Sequence, residues 1–136
     1  PDAVRLYSQA RDSAELYAIV LGQLQPDGQI AVPVVPQDGT APSDKEATTR
    51  VRMTGFILGE TGFDRTFDRE IDVRVTCLSI WCGTPVTDRE ILAAVRVTGD
   101  VPELEIGPCG GLSVVATQRA IDRLLACHRD GRCDLQ

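Results

Sequence analysis

Between Ile71 and Cys77 the chain alternates without a break: Ile71, Val73, Val75 and Cys77 are apolar, and Asp72, Arg74 and Thr76 are not. A period of two is what an extended strand shows when one face lies on a core and the other meets water. The fold must therefore be built around a sheet. Upstream, Val51, Met53 and Gly55 alternate with Arg52 and Thr54 until the pattern breaks into Phe56-Ile57-Leu58. A glycine at such a break predicts a bulge or a sharp coil. With the Cys82-Gly83 corner, Val51 to Gly83 reads as two strands, their connection and a cysteine corner. The connection, Gly59 to Glu70, brings Asp64, Asp68 and Glu70 close to Asp72, but Arg65 and Arg69 interrupt the negative charge. That pattern suits a solvated, self-neutralised loop better than a calcium loop.

The remaining 103 residues must fit around this unit, and the 136-residue total is the size of one domain with a real core. Acidic residues number 20 and basic residues 14, for a formal charge of -6. No basic stripe exists for nucleic acid, and no apolar run approaches the ~20 residues of a membrane span. The five cysteines, Cys77, Cys82, Cys109, Cys127 and Cys133, all fall in the last 60 residues. Their spacings are not those of zinc ligands or of a Cys-x-x-Cys redox pair, and His128 is the only histidine. Disulfides are the expectation, and with them the periplasm or the cell exterior. The start at Pro1 fits a mature or trimmed exported protein. An odd count leaves one thiol free or paired outside the chain.

Taken in order, residues 1–15 form a lead-in with a weak helical spacing at Val4, Leu6, Tyr7 and Ala10. Residues 14–24 are apolar enough for either a helix face or a buried strand; the Pro26-Asp27-Gly28 turn signal favours a hairpin, Leu16 to Gln25 against Gln29 to Val35. Pro33 would make the second strand an edge. Residues 36–49, with two prolines and little to bury, read as a mobile loop. Ile91 to Val95 is a continuous apolar run, predicted to be a strand covered on both faces. After a turn at Gly99-Asp100, Leu104 and Ile106 alternate with Glu103 and Glu105, and the glycines around Cys109 break the chain. Residues 117–129 form the C-terminal helix, capped by Thr117 and stopped by Gly131, with Ile121, Leu124, Leu125 and His128 on one stripe. Cys127 and Cys133 straddle that stop, and a bridge between them would be worth roughly 2 kcal/mol in the chain-entropy account.

The Cys82-Gly83 corner, the buried strand from Ile91 to Val97, the turn and the strand leading to Cys109 resemble the netrin-like or TIMP-like OB-fold modules. The resemblance spans about Leu16 to Cys109. It implies an OB-like β-barrel over residues 16–111 and a bridge from Cys82 to Cys109. Cys77 is then left over, a buried free thiol, with a Cys77 to Cys109 pairing as the competitor. The inhibitory mechanism of that family needs a cysteine at the N-terminus, and this chain has none before Cys77. The chain is also similar to uncharacterised exported bacterial proteins with the Trp81-Cys82-Gly83 corner and the Pro108-Cys109-Gly110-Gly111 turn.

No catalytic signature emerges. No serine lies in a Gly-x-Ser-x-Gly elbow. His128 suits a helix-end role, and Glu103 and Glu105 share an outer strand face. Trp81 packs on the disulfide or stands out as an anchor for a partner. The expectation is a mostly β protein, a five- or six-stranded OB-like barrel with a C-terminal helix, disulfide-stapled, acting as a binding module without a cofactor. Its partner, a protein or a small molecule, would meet Trp81, Gly110 and Gly111. The alternative is a thiol or zinc protein using the cysteine cluster, Cys77, Cys82, Cys109 and His128.

Overall fold

In the computed structural model, which describes residues 2–133, the alternating segment lies in a 17-residue strand, β3 (Gly62–Leu78). It pairs antiparallel with β2 (Glu46–Gly59), in register from Glu46 opposite Thr76 to Gly59 opposite Gly62. The two make one long hairpin around Glu60-Thr61. The segment expected as a solvated loop after Gly59 is therefore mostly strand. Its period-two signal is hidden because Arg65 and Arg69 occupy the same parity as buried Phe67 yet remain in water. The expected irregularity near Gly55 is present as a register shift between Ile57 and Leu58. At the turn, the Thr61 hydroxyl donates to Asp64 and holds its carboxyl below the usual carboxylate range.

Five strands form a ring of pairings. β1 (Tyr17–Gln25) pairs antiparallel with β2 on one edge and with β5 (Ile91–Arg96) on the other. β6 (Glu103–Ile106) runs parallel to β3 from Asp72–Glu103 to Val75–Ile106, and meets β5 at a single residue pair, Arg96 opposite Glu103. That join is reinforced by Arg96, which bonds Glu103 at 3.1 Å; on the opposite edge of β6, Arg74 of β3 bonds Glu103 at 3.1 Å and Glu105 at 2.7 Å, and it also reaches Glu46 of β2 at 3.1 Å. Burial works against the Arg74 charge, but the hydrogen bond and charge of Glu103, then Glu105 and Glu46, outweigh it and hold the guanidinium above its ordinary pKa. Glu103, expected only to share an outer strand face with Glu105, thus links β5 to β3 where the ring's backbone pairing is thinnest.

Two cores lie on either side of this sheet. Inside the ring, Val20, Leu24, Met53, Ile71, Val73, Val75, Leu104 and Ile106 pack with Ile91, Ala93 and Val95. Outside it, Leu92 and Ala94 pack with Ile19 against Ala3, Leu6 and Ala10 of α1 (Ala3–Asp12) and Leu124 of α2 (Gln118–Asp130). The uninterrupted apolar run of β5 is explained: odd residues face one core and even residues the other. β1 is apolar on both faces for the same reason, which is why its residues also fit a helical stripe. Asp2 caps α1 by accepting from Val4 N at 2.8 Å. Thr117 caps α2 by accepting from Ala120 N at 3.1 Å, and Gly131 ends it in the left-handed region at φ 70°.

The hairpin expected between Leu16–Gln25 and Gln29–Val35 does not form. Both edges of β1 are occupied, by β2 and β5, so no ladder remains for Ile30 to Val35. Residues 26–45 instead run without regular structure, and β2 begins at Glu46, inside the stretch read as loop to Thr49. A short strand not foreseen, β7 (Ser113–Val115), pairs with the first half of β5.

At the crossing of β1 and β2, Gly22 lies opposite Gly55, and a Cβ at Gly55 would strike the Leu21 carbonyl oxygen and stand 2.5 Å from the Gly22 Cα. Gly55→Ala should therefore lower unfolding free energy by about 1–3 kcal/mol, read by urea denaturation. Asp64 supplies a pH test. Because its folded pKa is depressed, the stability it confers is present above the unfolded value and is lost as pH falls through the folded one. Thr61→Val should make stability less steep across the acid limb, and an unchanged limb would contradict that assignment.

Candidate functional site

β3 does not stop at the ring. Its last residue, Leu78, turns over Ser79-Ile80 and returns as β4 (Trp81–Cys82), with Leu78 opposite Trp81 and Cys77 opposite Cys82. Directly opposite residues of an antiparallel pair share a face, and the two sulfurs are bonded. This hairpin tip has an unusual composition. Leu78 is 61% exposed, Ile80 38% and Trp81 63%. Leaving a leucine or isoleucine in water forgoes about 1.5–3 kcal/mol each. Ser79 adopts φ 56°, a left-handed conformation that costs a non-glycine residue roughly 1–2 kcal/mol.

The disulfide corrects the pairing implied by the family resemblance. Cys82 is bonded to Cys77, so neither a Cys82–Cys109 nor a Cys77–Cys109 bridge is present, and Cys77 is not the free thiol. That thiol is Cys109, which is exposed. Strand register decides the outcome, because it sets Cys77 and Cys82 across one ladder rung. The second expected bridge, Cys127–Cys133, is formed. Trp81 does not pack away against its disulfide but stands in solvent.

Behind the tip runs a groove of about 410 Å³ lined by Cys82, Ile106, Cys109, Gly110 and Val114 among others. It opens where β6 and β7 diverge from β5, each pairing with a different part of that strand. Of the three residues expected at a partner surface, Trp81 adjoins this groove through Cys82 and Gly110 lines it. Gly111 lies apart, in a recess of about 120 Å³ shared with Asp2, Arg5, Gln9 and Cys109. The positive φ of Gly110 and Gly111, 72° and 108°, lets the chain turn sharply past Cys109. Leu78 and Ile80 were not anticipated, although an apolar Leu-Ser-Ile-Trp run between two cysteines is a visible signal. A hollow of about 380 Å³ at the start of α2 holds Asp2 with Arg123 at 3.6 Å and no thiol or histidine.

His128 belongs to the scaffold rather than to this site. Its Nε2 lies 2.9 Å from the Gly59 carbonyl oxygen, which can only accept, so Nε2 carries a proton. In the neutral ring Nδ1 then accepts from the Tyr7 hydroxyl at 3.0 Å. Arg129 donates to Thr61 O at 3.0 Å. The end of α2 is thereby tied to both α1 and the β2–β3 turn. Cys77, Cys82, Cys109 and His128 do not converge on a point, and among the described residues no group of three His, Cys, Asp or Glu side chains is placed to hold a metal. None of the described helices is long and apolar enough to cross a membrane.

The chain matches no family model, no curated protein and no solved structure. Its function must be argued from its own geometry.

Tyr7→Phe removes the hydroxyl between α1 and His128 while keeping the ring. It should cost about 1 kcal/mol of stability by thermal or urea unfolding. The emission of Trp81, at the hairpin tip, should not change.

Proposed function

We propose that this protein is a non-enzymatic binding module of an oxidising compartment, periplasmic or extracellular, that grips a protein partner with the hairpin tip 78–81. The observation behind it is three exposed apolar side chains, Leu78, Ile80 and Trp81, held on one disulfide-closed turn. Isolated exposed apolar residues are ordinary, but a contiguous group that includes a tryptophan is typical of contact surfaces. Closing the turn covalently reduces the freedom to be lost on binding, which favours affinity. Two disulfides suit an oxidising compartment. The five-strand ring with one thin join supports an OB-like scaffold, a partly open barrel that presents loops at its ends.

The free thiol of Cys109 favours a second reading, a thiol-dependent protein, over a zinc-dependent one, because Cys77 and Cys82 are already bonded to each other.

The test is a paired capture and titration with the parent and a Leu78→Ser/Trp81→Ser variant. Both side chains are exposed, so the variant should unfold within about 0.5 kcal/mol of the parent. It should lose at least about tenfold in affinity for any protein the parent captures from exported fractions, equal to ~1.4 kcal/mol or more. Equal capture by both would refute the tip as the contact. Turnover of broad ester, peptide or glycoside substrates would refute the non-enzymatic assignment.

A further inference from the structure

Cys109 sits on the turn that follows the backbone packed against the neck of the hairpin tip, where Cys77 and Cys82 are bonded. Gly83, next to Cys82, has no room for a Cβ: one would strike the Ile106 carbonyl oxygen and stand 3.0 Å from Gly107 N. Gly107 in turn would place a Cβ 3.1 Å from Oγ1 of Thr76, the residue before Cys77. Gly107 is therefore wedged between the neighbours of both bonded cysteines. Cys109 follows two residues later, so its Cα lies no more than about 7.6 Å from that of Gly107. Its thiol is free and exposed, and it lines the same groove as Cys82. The turn that carries it contains Gly107, Gly110 and Gly111 and one long backbone hydrogen bond, Gly110 N to Gly107 O at 3.4 Å. Such a turn can let the sulfur advance.

We propose that Cys109 exchanges with the Cys77–Cys82 disulfide, converting the staple across the hairpin neck into one between Cys82 and Cys109. Cys109 loses its proton to solvent, and the thiolate attacks Sγ of Cys82, the bonded cysteine that lines the groove with it. A Cys82–Cys109 bond forms as the Cys77–Cys82 bond breaks, and Cys77 leaves as a thiolate that takes up a proton. One disulfide and one thiol enter, and one of each leave. No oxidant or reductant is consumed. The consequence is local: Leu78 and Trp81 are no longer held opposite each other by a covalent rung, and the apolar tip is free to open. Control of partner binding rests on the tip being the contact surface; the exchange itself does not.

Protein prepared without reductant and alkylated in mildly acidic buffer should carry label on Cys109 alone by peptide mapping. Held at about pH 8.5, where exposed thiols ionise, and then alkylated, it should show label on Cys77 in about one chain in ten or more. A Cys82–Cys109 linked peptide should appear, at a rate unchanged by tenfold dilution, with one labelled site per chain throughout. Label confined to Cys109 at every time, or a Cys109-linked dimer in place of Cys77 label, would overturn the proposal. So would Cys77 labelling that persists in Cys109→Ser. A second variant guards against a misfolded control: Cys77→Ala purified under air should close Cys82 to Cys109, and two free thiols there would also overturn it. Exchange that leaves Trp81 emission unmoved overturns the link to the tip. The docking reading is tested separately, with the tip serines placed in the non-exchanging Cys109→Ser background.

Discussion

The first five residues of β5 lie between two hydrophobic layers, with Ile91, Ala93 and Val95 turned into the ring and Leu92 and Ala94 turned toward the helices. No other strand is covered so completely. Because β5 also pairs with β1 along its whole length and with β7 and β6 on its other edge, it is the member that joins ring, helices and groove. Between Ile91 and Val95 such a strand can accept no charge on either face, and the charge of Arg96 comes only where the strand leaves the core. Small side chains at Ala93 and Ala94 let both layers come close, and a larger residue at either would have to displace a core that is already filled.

What β5 cannot supply is a full seam with β6. One backbone pair closes the ring there, and the side-chain link is Arg96 to Glu103, which Arg74 of β3 holds from the other edge of β6. Exposed ion pairs are individually weak, generally under about 1 kcal/mol, but Arg74 is three-quarters shielded and serves three carboxylates at once. The open part of the seam is the groove, and both the cysteine turn and the hairpin neck border it. The candidate site thus occupies the place where the sheet is least complete, which is where backbone can be spared for recognition instead of pairing.

Much of this was written plainly in the chain. The alternation of Ile71 to Cys77, the two-faced burial of β5, the Thr117 cap and the Gly131 stop follow from periods and local chemistry. Other features were hidden for identifiable reasons. Ile30 to Val35 has the composition of a strand, but strand formation depends on a free edge, and edge occupancy is a property of the ring. Arg65 and Arg69 masked the outer half of β3 by placing charge at the inward parity. The partner of Cys82 depended on where β3 ends and how tightly it turns, which no cysteine spacing reveals. At the candidate site, Gly110 was legible as a turn-forming residue, while Trp81 could pack on a disulfide or stand in solvent, a choice that only the structure decides. Leu78 and Ile80 were not legible, because an apolar residue following a strand is ordinarily read as more core.

The packing of α1 against α2 has a consequence for how the molecule comes into being. Tyr7 and His128 are 121 positions apart, and the other contacts of α1 are to β1, β5 and β7. α1 therefore has no complete surface to bury against until α2 has been synthesised, and β1 likewise waits for β5. The β2–β3 hairpin, whose partners are close in sequence, can pair early, whereas the helical layer and the closure of the ring wait for elements far along the chain. The two bridges, Cys77–Cys82 and Cys127–Cys133, each close a short loop, so they fasten local turns and leave the selection of topology to the non-local contacts.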